Sequence, residues 1–166
     1  MAKQSEGSKK DKVNSDITEK VLHINRCSKV VKGGRKFSFS ALILVHDTSG
    51  SVGIGFAKAN ELTDAIRKGG ESARKNMKRY PMEGTTIPHE VLMKSDGALL
   101  LLKPAPEGTG VKAGSKVRTI LEAVGLKDVV AKSLGSANPI NLVLATIKAL
   151  SQLKTRENIA ATRGAA

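Results

Sequence analysis

Lys32-Gly33-Gly34-Arg35-Lys36-Phe37-Ser38-Phe39 is the stretch on which the reading of the fold turns. Two adjacent glycines flanked by cations suit a tight turn, and without a Cβ they let a backbone approach a phosphate closely. Behind them Phe37, Phe39, Ala41, Ile43 and Val45 alternate with Ser38 and Ser40, the period of a strand with one apolar face. Leu42 and Leu44 interrupt that alternation, so the later half of this strand is expected to be covered on both faces. Upstream, Val21–Val31 is β-compatible and supplies the other arm of a hairpin. Downstream, Asp47-Thr48-Ser49-Gly50 is a turn cluster that returns the chain into a third strand, Ser51–Ala57. Three antiparallel strands with a basic tip are equipment for binding a polyanion, not for carrying out a reaction.

A helix is predicted next, over residues 62–80. Asn60 is its candidate N-cap, and Glu61 and Asp64 fall in the first turn, where the dipole favours acids. Leu62, Ile66, Gly69, Ala73, Met77 and Tyr80 share one stripe that should pack on the sheet. Arg67, Arg74 and Lys78 lie opposite, flanked by Lys68, Lys75 and Arg79, a cationic ridge with Glu71 as its only acid. Tyr80-Pro81-Met82-Glu83-Gly84 ends the helix and marks a domain boundary.

The second half reads as a strand near Ile87–Met93, a Ser95-Asp96-Gly97 turn and a short buried strand, Ala98–Leu102. A loop holding Pro104, Pro106, Gly108 and Gly110 leads to a helix from about Ser115 to Val124, with Val117, Ile120, Leu121 and Val124 inward and Gly125 as its stop. Val129–Leu134 follows as a strand. Asn138-Pro139 then starts a helix, Asn as cap and Pro at the first helical position, with Ile140, Val143, Leu144, Ile147 and Leu150 as its buried side. The chain divides into a disordered basic leader (1–19), a polyanion-binding first domain (20–82), a second domain (83–154) and a polar tail (155–166). The order β-β-β-α, then β-β-α-β-α, is α+β in two layers, twice over.

Composition points the same way. The 166 residues hold 28 Lys+Arg against 15 Asp+Glu, a net charge of +13, which opposes compaction and favours an anionic partner, nucleic acid first. No apolar run approaches the roughly 20 residues needed to span a membrane, and no hydrophobic signal region opens the chain. Cys27 is the single cysteine, which excludes an internal disulfide or a multi-cysteine zinc site and fits a reducing cytosol. With aromatics at 2% and no Trp, the chain has almost no platform to offer, and base stacking is not expected. Gly53-Ile54-Gly55 superficially resembles part of a dinucleotide fingerprint, but a hairpin turn immediately precedes it. These glycines therefore sit inside a strand, at a bulge or where another backbone comes close. Gly108–Lys116 fails the order of a phosphate loop, yet remains a Gly-rich loop at a helix start, able to meet an anion or a partner backbone. His23, His46 and His89 are isolated, and no nucleophile-and-base spacing occurs, so no metal, cofactor, small-molecule substrate or enzymatic activity is expected. A free-standing structured-RNA-binding protein or RNA chaperone is the alternative that charge alone allows.

Three blocks carry a family resemblance. Lys32–Ala59, with Gly-Gly-Arg-x-Phe-x-Phe-x-Ala, Asp47, Gly50 and Val-Gly-x-Gly-Phe, resembles ribosomal small-subunit protein five. Pro104-Ala105-x-Glu107-Gly108-Thr109-Gly110 with Ala113-Gly114, and Gly135-Ser136-x-Asn138-Pro139-x-Asn141, agree in order, as does the closing Arg163-Gly164. His46 and Ala57 stand where bacterial members often carry Gly. The resemblance implies a double-stranded-RNA-binding-like first domain and a second, two-layer βα sandwich with a left-handed crossover. It also implies a cytoplasmic, structural constituent of the small ribosomal subunit, placed at the head–body junction where the messenger enters. Such a protein binds 16S ribosomal RNA, contacts ribosomal proteins four and eight and contributes to translational accuracy. The candidate RNA contacts are Lys29, Lys32, Gly33, Gly34, Arg35 and Lys36 in the hairpin, and Arg74, Lys75, Lys78 and Arg79 on the helix. Ser28, Lys32, Gly33 and Gly34 match the loop whose changes alter spectinomycin sensitivity. Gly110 and Arg118 match the contact with protein four.

Overall fold

A long hairpin organises the first half of the protein, whose computed structural model describes residues 17–164. Strand β1 (Ile17–Val31) pairs antiparallel with β2 (Gly34–Asp47) across the turn Lys32-Gly33. Gly33 sits at φ 109°, a conformation closed to most side chains, which is why glycine stands there. The leader read over residues 1–19 lies outside the described residues up to 16, and Ile17–Glu19 are already strand. The one irregularity in the hairpin is at Val21/His23. His46 and Ala57 pair in plain register with Val52 and Ala41.

Strand β3 (Ser51–Ala59) pairs with β2, and helix α1 (Leu62–Lys75) lies back across both. Here two expectations are corrected. The helix stops at Asn76 instead of reaching residue 80, and Lys78-Arg79 form a short strand β4 against Ser51-Val52. The three-stranded sheet thus becomes four-stranded, in the order β1-β2-β3-β4. Helical spacing of Met77 and Tyr80 could not reveal this, because pairing β3's free edge backbone satisfies groups that carry no side-chain signature. Glu61, not Asn60, takes the N-cap position, without a side-chain cap bond.

The strand glycines show how closely α1 sits. A Cβ at Gly55 would run into the Gly69 carbonyl oxygen, and one at Gly53 into that of Ala73. Helix and strand backbones touch directly, the close approach expected of glycines inside a strand. The core beneath is small, built from Ala41, Ile43, Val45, Ala65 and Ala73.

Leu42, Leu44 and Val52 face the other way and join Tyr80 and the second half in one larger core. This is the second covering that the broken alternation demanded. Its remaining walls are β5 (Val91–Ser95), β6 (Ala98–Pro104), β7 (Val111–Lys112), α2 (Ser115–Val124), β8 (Val129–Ser133) and α3 (Pro139–Gln152), with a short α4 (Arg156–Thr162) beyond. The sheet order is β5-β6-β8-β7, and β7 and β8 run parallel on either side of α2 in the chain. The result is mixed α+β throughout. Helix α2 ends on Gly125 in the left-handed conformation, and Asn138 accepts the Ile140 N–H at 3.1 Å to cap α3. The buried side of α3 is turned from the expected one. Ala145, Thr146 and Ala149 face inward with Val143 and Leu150, whereas Leu144 is 40% exposed. Small residues let the helix lie close to the sheet, and the bulkier leucine is displaced outward.

Candidate nucleic-acid interface

Strand β3 accompanies β2 only from Phe39, which pairs with Ala59. Gly34–Ser38 and their partners Cys27–Val31 therefore stand beyond the sheet as a bare two-stranded ribbon. Five residues per strand give a projection of about 16 Å at the usual rise of a strand. From Lys20 to His46 the chain contains no Asp or Glu. The register sets Lys29 opposite Lys36 on one face of the ribbon, and Val30 opposite Arg35 with Ser28 opposite Phe37 on the other. Lys32 and Gly33 form the tip. All of Ser28, Lys29, Lys32, Gly33, Gly34, Arg35 and Lys36 are exposed, so the structure gathers the hairpin candidates into one cationic projection. Sequence reasoning passed over Arg26, whose guanidinium lies 3.9 Å from the centroid of the Phe37 ring. The signal was there in register, since Arg26 pairs with Phe39, next to Phe37 on the same face.

The remaining candidates are elsewhere. Arg74 and Lys75 lie in the last turn of α1, and Lys78 and Arg79 in β4, beside Ser51 and Val52. Val52 is at the far end of β3 from Ala59, a separation of roughly 23 Å at strand rise. The ridge is also less one-signed than its composition. Arg74 binds Glu19 of β1 at 3.0 Å, and Arg67 lies 3.4 Å from Asp64 and 3.7 Å from Glu71. Lys75, Lys78 and Arg79 are exposed and form no ion pair among the described residues. Arg74 and Lys75 also complement the C-terminal end of the helix dipole.

The loop from Pro104 to Arg118 already holds an anion of its own. The carboxylate of buried Asp128 accepts the Gly110 N–H at 3.0 Å. That bond above all, opposed by burial and helped by the Thr85 hydroxyl and the Gly108 and Thr109 N–H groups, holds the Asp128 carboxyl below its ordinary range. Thr86 Oγ1 donates to the Asp128 carbonyl at 2.6 Å and accepts from Ala105 N at 3.3 Å, fastening the loop from behind. Arg118 donates from Nε and Nη2 to the Val111 carbonyl, at 3.1 and 2.8 Å. Gly110 and Arg118 thus shape the loop from within, leaving its exposed edge, Pro106-Glu107-Gly108, toward solvent. Asp128 was missed because nothing local marks it: its partners lie eighteen residues away and more. Among the described residues no three His, Cys, Asp or Glu side chains gather as a metal site, and no helix is long and apolar enough to cross a membrane.

Residues 17–81 match the N-terminal domain of ribosomal protein S5, and residues 93–163 match its C-terminal domain. The chain belongs to the ribosomal protein S5 family. The small ribosomal subunit protein uS5 of Protochlamydia amoebophila is 70% identical over 166 residues, covering 99% of each chain. Those of Chlamydia abortus and Chlamydia trachomatis serovar D are 62% identical over 157 residues and 65% identical over 144 residues. They cover 94% and 86% of this chain and 95% and 87% of their own. Ribosomal protein S5 is a structural, non-enzymatic constituent of the small subunit, a ribonucleoprotein that carries out translation in the bacterial cytoplasm. The two matches leave residues 82–92 between them, a segment that follows β4 and runs into the start of β5 at Val91.

Proposed function

We propose that this S5 chain anchors itself on 16S ribosomal RNA chiefly through its projecting ribbon, near the head–body junction where the messenger enters. The observation that carries this is the Lys29/Lys36 pair. Like charges directly opposite across two strands cost stability, and an RNA phosphate lying between them turns that cost into binding energy. Lys32 and Arg35 add charge at the tip, and the Gly33 and Gly34 backbone can come close to a phosphate. Such contacts position the protein, while the shape of the folded RNA supplies specificity. The ribbon tip, with Ser28, Lys32, Gly33 and Gly34, is the part through which changes would alter spectinomycin sensitivity. Lys75, Lys78 and Arg79, with Arg74 once released from Glu19, form a second phosphate-contacting patch at the other end of the sheet.

The 108–118 loop is the surface for ribosomal protein four, held in shape by Asp128 and Arg118, and a further surface meets protein eight. Loosening a contact made only in the open subunit shifts the population toward the closed one, which is how this loop would tune accuracy. The test is binding of the full chain to a 16S fragment over a range of salt. With about six phosphates neutralised, log affinity should fall against log salt with a slope of several units, near 0.9 per contact. A slope near zero overturns the electrostatic reading. Retention of the protein on small subunits through a high-salt wash separates a resident constituent from a free RNA chaperone.

A further inference from the structure

The ribbon has a second face, opposite the one that carries Lys29 and Lys36. Arg26, Ser28 and Val30 share it with Phe39, Phe37 and Arg35. Helix α1 packs on β2 and β3 and leaves this part of the hairpin uncovered. Phe37 is 45% exposed and Val30 74%, so apolar surface stands in water where no part of the described chain can cover it. The Phe37 ring has a cationic neighbour: the Arg26 guanidinium carbon lies over it, 3.9 Å from the ring centroid. A guanidinium and an aromatic ring are thus in contact at the surface, held on two paired strands, inside a stretch that has no acidic residue.

From this we infer that the Arg26–Phe37 pair is a platform for one unpaired RNA base. The inference rests on the RNA-binding reading above and deepens it, because phosphate contacts alone carry no preference for a base. A base is flat, apolar on its faces and attached to an anionic backbone, so it matches both the plane and the charge of this face. It lies on the outer plane of the guanidinium, with the ring behind, while its flanking phosphates meet Arg35 and the ribbon tip. The low aromatic content of the chain excludes a run of stacked bases but leaves room for this single one. A protein side chain covering Phe37 would need no plane and no positive charge beside it.

The test uses the full chain and three short RNA hairpins: one fully paired, one with a single bulged 2-aminopurine, and one with an abasic site in the same bulge. Wild-type protein should bind the bulged base about tenfold more tightly than the abasic bulge, within the range of one stacked base, and should quench the 2-aminopurine fluorescence. Phe37→Leu keeps the apolar bulk and Arg26→Lys keeps the charge. Each should bring that preference close to one while the salt slope stays unchanged, and both exposed positions leave the melting curve in place. Equal discrimination by wild type and Phe37→Leu, or none by wild type, overturns the base platform while leaving phosphate binding standing. Failure to bind any of the three RNAs at low salt overturns the RNA-binding reading itself, and the platform with it.

Discussion

Asp128 accepts the backbone N–H of Gly110 at 3.0 Å and so fills, with a carboxylate of the chain's own, the glycine loop that reads like an anion site. With Thr86 Oγ1 donating to the Asp128 carbonyl at 2.6 Å and accepting from Ala105 N at 3.3 Å, the loop is tied to the residue just before β8. A pH dependence follows. The carboxyl titrates lower in the folded protein than in the unfolded one, so its stabilisation is fully present above the unfolded value of about 4. It is lost as pH falls through the folded value. Melting curves of wild type and Asp128→Asn should differ most at neutral pH, with the variant lower, and converge as pH falls through the folded value. A gap that persists unchanged in acid would show that the charge does not hold the loop.

Gly55 lies against the Gly69 carbonyl oxygen with no room for a side chain. Gly55→Ala must push α1 off β3, and the cost should be about 1–3 kcal/mol, the usual range for overpacking. Urea unfolding measures it. A midpoint equal to that of wild type would mean that the helix and strand are further apart than described.

Lys36→Glu should act in opposite directions on stability and on binding. Facing Lys29, the new carboxylate replaces a like-charge pair with an opposite one and should stabilise the free protein by about 0.2–1 kcal/mol. RNA affinity should drop, and the log–log salt slope should shrink by about one unit for the lost phosphate contact. Loss of stability with unchanged affinity would refute the role given to the pair.

Asn138 caps α3 through the Ile140 N–H at 3.1 Å. Asn138→Ala should cost about 1 kcal/mol, read as a lower denaturation midpoint with RNA affinity unaltered, since the cap is remote from the ribbon. An RNA-binding defect here would point to an interface on the second domain that the charge distribution does not reveal.

The local elements were written in local signals. Gly33-Gly34 amid alternating residues specified the hairpin and its tip, Gly125 closed α2, and Asn138-Pro139 opened α3. Even Leu42 and Leu44 announced a second covering layer, since a strand apolar on both faces has to be buried on both. The family resemblance and the cationic hairpin were legible for the same reason: turn chemistry and charge act over a few neighbouring residues.

What the amino-acid order could not express is anything that depends on which distant segments meet. Lys78-Arg79 left the helical pattern because the free edge of β3 was there to pair with, and edges have no residue code. Glu19 claimed Arg74, and Asp128 claimed the glycine loop, across separations that no spacing rule spans. Sequence alone therefore determined a basic hairpin and the helices around it. Only the tertiary structure decided which cations of the described residues are tied up in ion pairs and which are not, because a charge is committed by what lies within a few ångströms of it, not by its neighbours along the chain.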